Sequence, residues 1–133
     1  NDDIASGLRE QTCVGKCGRD TPRLSDDAIN KHMAAVPDWR LNDERTVISK
    51  SFVARNFVAA VDFFNVVKEL AEAETHHPDL HLTNYRNVRV ELWTHSIGGL
   101  ALPDFILAAK IDQLEVDYSP KWLREKKAKD DSA

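Results

Sequence analysis

Residues 56–95 read NFVAAVDFFNVVKELAEAETHHPDLHLTNYRNVRVELWTH, and the hydrophobic period changes partway along them. Phe57, Ala60, Val61, Phe64, Val67, Leu70 and Ala71 recur at three- and four-residue steps, the spacing of one helix face. Asn56 is a residue type that caps helix starts. Pro78 pushes the residue before it out of the helical region. The helix is therefore expected to stop short of it, with His76 in or just after the last turn and His77 extended. Beyond the proline the period becomes two. Leu80 to Thr83 is a predicted strand, residues 84–87 a turn and residues 88–94 the return strand. Val88, Val90 and Leu92 share one face, and Arg89, Glu91, Trp93 and His95 share the other. A helix with one apolar stripe beside a hairpin with one apolar face is half of a two-layer fold.

The same unit can be read upstream. Ser25 is a good N-cap, followed by Asp26 and Asp27 where the helix dipole favours negative charge. Ala28, Ile29, His32 and Met33 lie at helical spacing, and the helix runs to about Ala35, ahead of Pro37. Residues 39–41 and 46–53 then read as a hairpin around the turn cluster at 42–45. Lys50 shares parity with Ile48 and Phe52, which spoils the alternation of that strand. Downstream, residues 96–99 are a tight connection, and Pro103 and Asp104 suit the first turn of a helix reaching about Leu114. The order α-β-β-α-β-β-α predicts an α+β fold, a four-stranded antiparallel sheet with three helices packed on one face. The other sheet face and at least one edge are left open, so a homo-oligomer, dimer or tetramer, is expected. Residues 1–22, with scattered glycines and no apolar period, read as a flexible arm. Residues 23–118 read as the folded domain and 119–133 as a charged tail in which Trp122 makes a local packing contact.

With 133 residues the chain has a one-domain length and can build a real core. A net charge of −4 argues against nucleic acid as a partner, because binding to phosphates needs a basic face. No apolar run has the roughly 20 residues that span a bilayer, so no membrane role is expected. Cys13 and Cys17 offer at most half of a zinc site and read as plain thiols. The first residue is Asn1 rather than Met, and the chain is read as a processed form or an expressed piece in which any targeting segment is no longer visible.

The chemistry is carried by Glu72-Ala73-Glu74-Thr75-His76-His77-Pro78, followed by Thr94-His95 and Asp104. Imidazole can give and take a proton near neutrality. A histidine at a helix C-terminus has its charged form favoured by the dipole, which suits a proton donor. A metal reading competes, since His77-x3-His81 has the spacing of helical zinc ligands. Pro78 interrupts the helix between them, so the two rings are not expected to share a face, and no metal is expected. His32 reads as a surface or satisfied core residue. His81, alternating with Leu80 and Leu82, is expected to point off the core face.

The ordered set Glu72-x3-His76-His77-Pro78-x6-Tyr85-x9-His95-x8-Asp104 resembles the signature of the pterin-4a-carbinolamine dehydratases. The resemblance covers roughly Leu24 to Val116. Residues 93–100 and 104–112 are similar to the family's plant organellar branch, which implies a mitochondrial or plastid location. It also implies the family's fold, a four-stranded antiparallel sheet with three helices on one side. The implied activity is that of a hydro-lyase removing water from a 4a-hydroxytetrahydropterin to give the quinonoid dihydropterin in pterin recycling, with no cofactor and no metal. By resemblance, His76 and His95 are the acids that assist departure of the hydroxyl. His77 binds the pterin and handles the N5 proton. Pro78, Thr94, Ser96 and Ile97 line the pocket together with the histidines, and Asp104 and Glu72 act behind them. Thr75 departs from the acidic residue that many relatives carry before the histidine pair. Members of the family also serve as protein-interaction or assembly factors without catalysis, and this is the alternative reading. Retention of His76, His77 and His95 together favours the enzyme.

Overall fold

A computed structural model of the chain describes residues 2–13 and 21–131; Cys17 lies outside them. Ten elements follow one another: α1 (Asp2–Arg9), α2 (Asp26–Ala35), β1 (Arg40–Leu41), β2 (Ile48–Val53), α3 (Phe57–Glu74), β3 (Asp79–Thr83), β4 (Asn87–Leu92), a 3-10 turn (His95–Ile97), α4 (Leu102–Ile111) and α5 (Pro120–Asp131). The four strands form one antiparallel sheet in the order β1-β2-β4-β3. The fold is α+β as expected, with five α-helices among the described residues where three were predicted.

The helix starts are built as their sequences indicate. Ser25 Oγ accepts the Ala28 N–H at 3.2 Å, and Asn56 Oδ1 accepts the Ala59 N–H at 2.8 Å. In the sheet, Ile48 faces Leu92, Lys50 faces Val90 and Phe52 faces Val88, while Leu80 and Leu82 pair with Val90 and Val88 from the other side. This face meets the helices, and Val88, Val90, Leu92, Ile48 and Phe52 are buried with Phe105, Ile106 and Leu107 of α4. Lys50, the residue that broke the alternation, is accommodated because its ammonium reaches Asp112 at the end of α4, 2.7 Å away. Asp112 also accepts the indole N–H of buried Trp39 at 2.9 Å.

The stripe of α3 is shifted from the expected one. Ala60, Phe63, Val67 and Ala71 are buried, whereas Phe57 is 54% exposed. Phe63 fills the core by meeting Phe52 edge-on at 5.0 Å between ring centroids. Phe57 lies at the solvated start of the helix.

The expectation of a flexible arm is corrected over residues 2–13. These form α1 and its exit, with Ala5, Leu8 and Cys13 buried and α1 packed on α4 and α2. A helix of eight residues carrying Gly7 has little stability of its own, so tertiary burial makes it. The charged tail is α5, which buries no residue. It is held at its base, where Tyr118 stacks on Trp122 at 5.1 Å and meets the edge of Phe52 at 5.2 Å. Among the described residues no helix is long and apolar enough to cross a membrane.

Candidate active site

The site begins where α3 ends. Thr75 has φ +54°, the left-handed conformation, and two backbone bonds close the helix behind it. The Thr75 N–H donates to Glu72 O at 3.3 Å and the His76 N–H to Ala71 O at 3.2 Å, the pairing that terminates many helices. Glycine usually occupies such a position, because a β-branched residue is strained there. The reversal turns His76 inward, leaving it 6% exposed, and sends the side chain of His77 out, 66% exposed.

His76 Nε2 lies 2.6 Å from Asp104 Oδ1. Asp104 is fully buried in the first turn of α4. Its Oδ2 accepts the Thr94 hydroxyl at 2.8 Å and the Ala101 N–H at 2.9 Å. Ala101 is the N-cap residue and has no side-chain acceptor, so Asp104 supplies the carboxylate half of a capping box. A buried carboxylate with donors on both oxygens is held rigidly. Against an ionised Asp104, Nε2 of His76 carries the proton, which fixes ring orientation and tautomer.

Thr94 opens a small closed loop. Its N–H donates to Gly99 O at 2.9 Å, and its carbonyl accepts the Ile97 N–H at 3.2 Å. Gly98 turns the chain at φ +62°, a conformation suited to glycine. His95 and Ser96 stand exposed on this loop and Ile97 is half-buried. The His95 ring lies on Trp93, with centroids 4.0 Å apart, and its Nε2 is 3.9 Å from Asp79 Oδ2. The same Asp79 oxygen accepts the Trp93 indole N–H at 3.0 Å. His77 Nε2 lies 2.5 Å from Glu72 Oε2, one turn back on α3, and Pro78 is half-buried between His77 and Asp79.

Two segments, 76–79 and 93–97, are thus joined at two points. His76 reaches Thr94 through Asp104, and Asp79 reaches Trp93 and His95 directly. His77 is turned to Glu72 instead. Asp79 and Trp93 were not singled out from the sequence. Their signal was present in the outward parity of the two hairpin strands, where Asp79 opposes Glu91, two residues before Trp93. His81 pairs with Glu91 at 2.6 Å on the outer sheet face, away from His77 and its carboxylate. Among the described residues no group of three or more His, Cys, Asp or Glu side chains is arranged to hold a metal ion.

An open concavity of about 750 Å³ lies elsewhere, over the outer face of β2, β4 and β3, lined by residues such as Ser51, His81, Arg89 and Glu91. None of His76, His77, His95 or Asp104 borders it. The acid–base groups, not this shallow face, mark the candidate site.

Residues 22–114 match the model of the family described as pterin 4 alpha carbinolamine dehydratase. The chain belongs to that family. It is 41% identical over 122 residues to pterin-4-alpha-carbinolamine dehydratase 2, mitochondrial, of Arabidopsis thaliana, covering 90% of this chain and 64% of that one. It is 43% identical over 107 residues to a putative pterin-4-alpha-carbinolamine dehydratase of Halorhodospira halophila, covering 80% of this chain and 96% of that one. The chain therefore spans less than two thirds of the plant relative and nearly all of the bacterial one. Among solved structures, a transcriptional coactivator/pterin dehydratase from Brucella melitensis superposes with a TM-score of 0.64 at 32% identity, covering 68% of this chain and 96% of that one.

Proposed function

We infer that this chain dehydrates a 4a-hydroxytetrahydropterin. The C4a–O bond breaks, the departing hydroxyl takes a proton and leaves as water, and N5 gives up its proton as the C4a=N5 double bond forms. One group must donate a proton and another must accept one, and imidazole does both near neutral pH. The observation that carries the reading is the His76–Asp104 pair, in which a buried carboxylate fixes one imidazole beside a loop that presents another, His95. A ring held by a carboxylate needs no reorganisation at the moment of proton transfer.

In this reading His76 and His95 serve as the acids. His76, 6% exposed, works from the floor of the site through one edge, and His95 works from its rim. His77 contacts the pterin and takes the N5 proton, with Glu72 behind it. Pro78, Thr94, Ser96 and Ile97 line the bound ring. Trp93, packed on His95, limits where that ring can swing. The plant relative's name supports an organellar location. The exposed apolar residues Phe57, Val58 and Val66 of α3 support assembly into a homo-oligomer.

The test follows the disappearance of synthetic 4a-carbinolamine by absorbance. Replacing His95 or His76 by Ala is expected to lower kcat about 10²-fold or more, the usual worth of a positioned acid or base. Rates for the native chain no faster than the uncatalysed reaction, unchanged in His77→Ala, would move the assignment to a non-catalytic interaction module on the same fold.

A further inference from the structure

Residues 2–13 lie outside the stretch that matches the family model, yet they touch both elements that carry the His76–Asp104 pair. Cys13 is fully buried. Its N–H donates to Glu74 Oε1 at 2.9 Å, and its thiol donates to Pro103 O at 3.4 Å. Glu74 is the last residue of α3, two before His76, and Pro103 immediately precedes Asp104 in α4. The other oxygen of Glu74 accepts Lys110 Nζ of α4 at 2.8 Å, and this ion pair is itself largely buried, at 18% and 12% exposure. One residue of the amino-terminal segment is therefore bonded to the carboxyl end of α3 and to the amino end of α4. The segment cannot drift from this place, because Ala5 and Leu8 of α1 are buried on the same side of the fold, where α1 packs on α4.

We propose that the segment 2–13 is a positioning element for the site, with Cys13 and Glu74 setting the distance between His76 and Asp104. The inference rests on the dehydratase reading only for its effect on rate. A hydrogen bond of 2.6 Å between a ring nitrogen and a buried carboxylate has little slack. Asp104 lies in α4 while His76 follows the end of α3, and the Thr75 reversal between Glu74 and His76 is strained. Without the tie, the end of α3 can relax away from α4. Displacements of an ångström at a catalytic group can cost on the order of 10²-fold, and loosening one of several ties should cost about 10-fold.

Cys13→Ala removes the thiol donor to Pro103 O, and Glu74→Ala removes the acceptor of the Cys13 N–H and of Lys110 Nζ. Each is expected to lower kcat about 10-fold with KM changed less than about 2-fold, and to displace the alkaline limb of the kcat pH profile, the limb on which an acid such as His76 loses its proton. Cys13→Ser and Glu74→Gln keep a donor and an acceptor in place and are expected to recover most of the loss. In parallel, the Nε2 proton of His76 is followed by NMR in the native and variant full-length chains. A strong hydrogen bond moves this proton downfield, so it is expected to shift upfield in both Ala variants and to return in Cys13→Ser. Should Cys13→Ala not fold, Glu74→Ala tests the other bond of Cys13, the one from its backbone N–H, which Cys13→Ala leaves in place. An unmoved His76 resonance together with an unmoved pH profile in folded Ala variants would overturn the proposal. A native chain without turnover, whose His76 resonance still shifts in the variants, would overturn the dehydratase reading and leave the positioning element standing.

Discussion

Thr75 shows how much a single backbone conformation can decide. At φ +54° a threonine keeps its branched Cβ crowded, yet this conformation turns the chain so that His76 faces inward and His77 outward. Left-handed backbone costs a non-glycine residue roughly 1–2 kcal/mol, partly offset in the variant by the chain entropy that glycine loses. Thr75→Gly is therefore expected to stabilise the fold by about 0.5–1 kcal/mol, seen as a rise in Tm of about 2–4 °C. A fall in Tm would show that the strain is relieved by contacts of the threonine side chain. Asp104 is the opposite case, an unstrained residue with every oxygen engaged. Asp104→Asn puts an amide NH₂ against either the Thr94 and Ala101 donors or the His76 ring. We expect kcat to fall about 10²-fold or more, with a smaller change in KM, because such a change alters the tautomer and orientation of the ring. Full kcat in the Asp104→Asn variant would remove the carboxylate from the mechanism.

Lys50 and the α3 stripe show where pattern reading succeeds and fails for an element. The parity of β2 was correct, and Lys50 looked like an error in it. The ammonium is tolerated on the inner face because Asp112, far along the chain at the end of α4, is within reach. Asp112→Ala would leave both the Lys50 ammonium and the indole N–H of a Trp39 that is 2% exposed without their acceptor. Unsatisfied buried donors cost roughly 1–3 kcal/mol each, so this variant is expected to lose about 2–4 kcal/mol in urea denaturation. Lys50→Met should lose less, since it removes the charge and leaves the Trp39–Asp112 bond. The ranking is the test, and a costlier Lys50→Met would contradict it. On α3, Phe57 and Phe63 both fit a helical stripe on sequence. The choice between them depended on the partner ring, Phe52, which sits on another strand.

For the whole molecule, pH and assembly are the informative variables. Burial works against the charge on Glu74, but hydrogen bonds from Lys110, the Cys13 N–H and Thr12, with the Lys110 charge, hold its carboxyl below the ordinary 4.5. A carboxyl lowered in the folded state contributes stability that is whole above its ordinary value and lost as pH falls through the lowered one. His32 behaves in the same direction. Burial first, then the charge of Lys31, lowers it from 6.5, and its Nδ1 is buried without a partner among the described residues. The unfolded chain binds that proton more readily, so stability is expected to fall as pH drops below 6.5 and again through the acid range. Denaturation midpoints measured from pH 8 to pH 3 should show both steps. His32→Gln should flatten the first and Glu74→Gln the second; two unchanged curves would refute the assignment. Assembly is tested on α3, where Val58 is 65% exposed and Val66 46%. Sedimentation is expected to give a multiple of 15.0 kDa for the native chain and a smaller species for the Val58→Glu/Val66→Glu variant.

Local physics was enough for the helix caps at Ser25 and Asn56, the halt before Pro78, the two hairpins and the inward parity of Val88, Val90 and Leu92. Each of these depends on neighbours within a few positions. His76, His77, His95 and Asp104 were marked by residue type and order, and their roles by the family resemblance that this order carries. Which histidine Asp104 meets was not marked, because His76 and Asp104 are 28 residues apart and their contact exists only once α3 and α4 are packed. Asp79 beside His95, the burial of α1 and the hold of Cys13 on Glu74 and Pro103 belong with it. Contacts between distant segments depend on how the layers close, and no period or spacing in the chain encodes that closure.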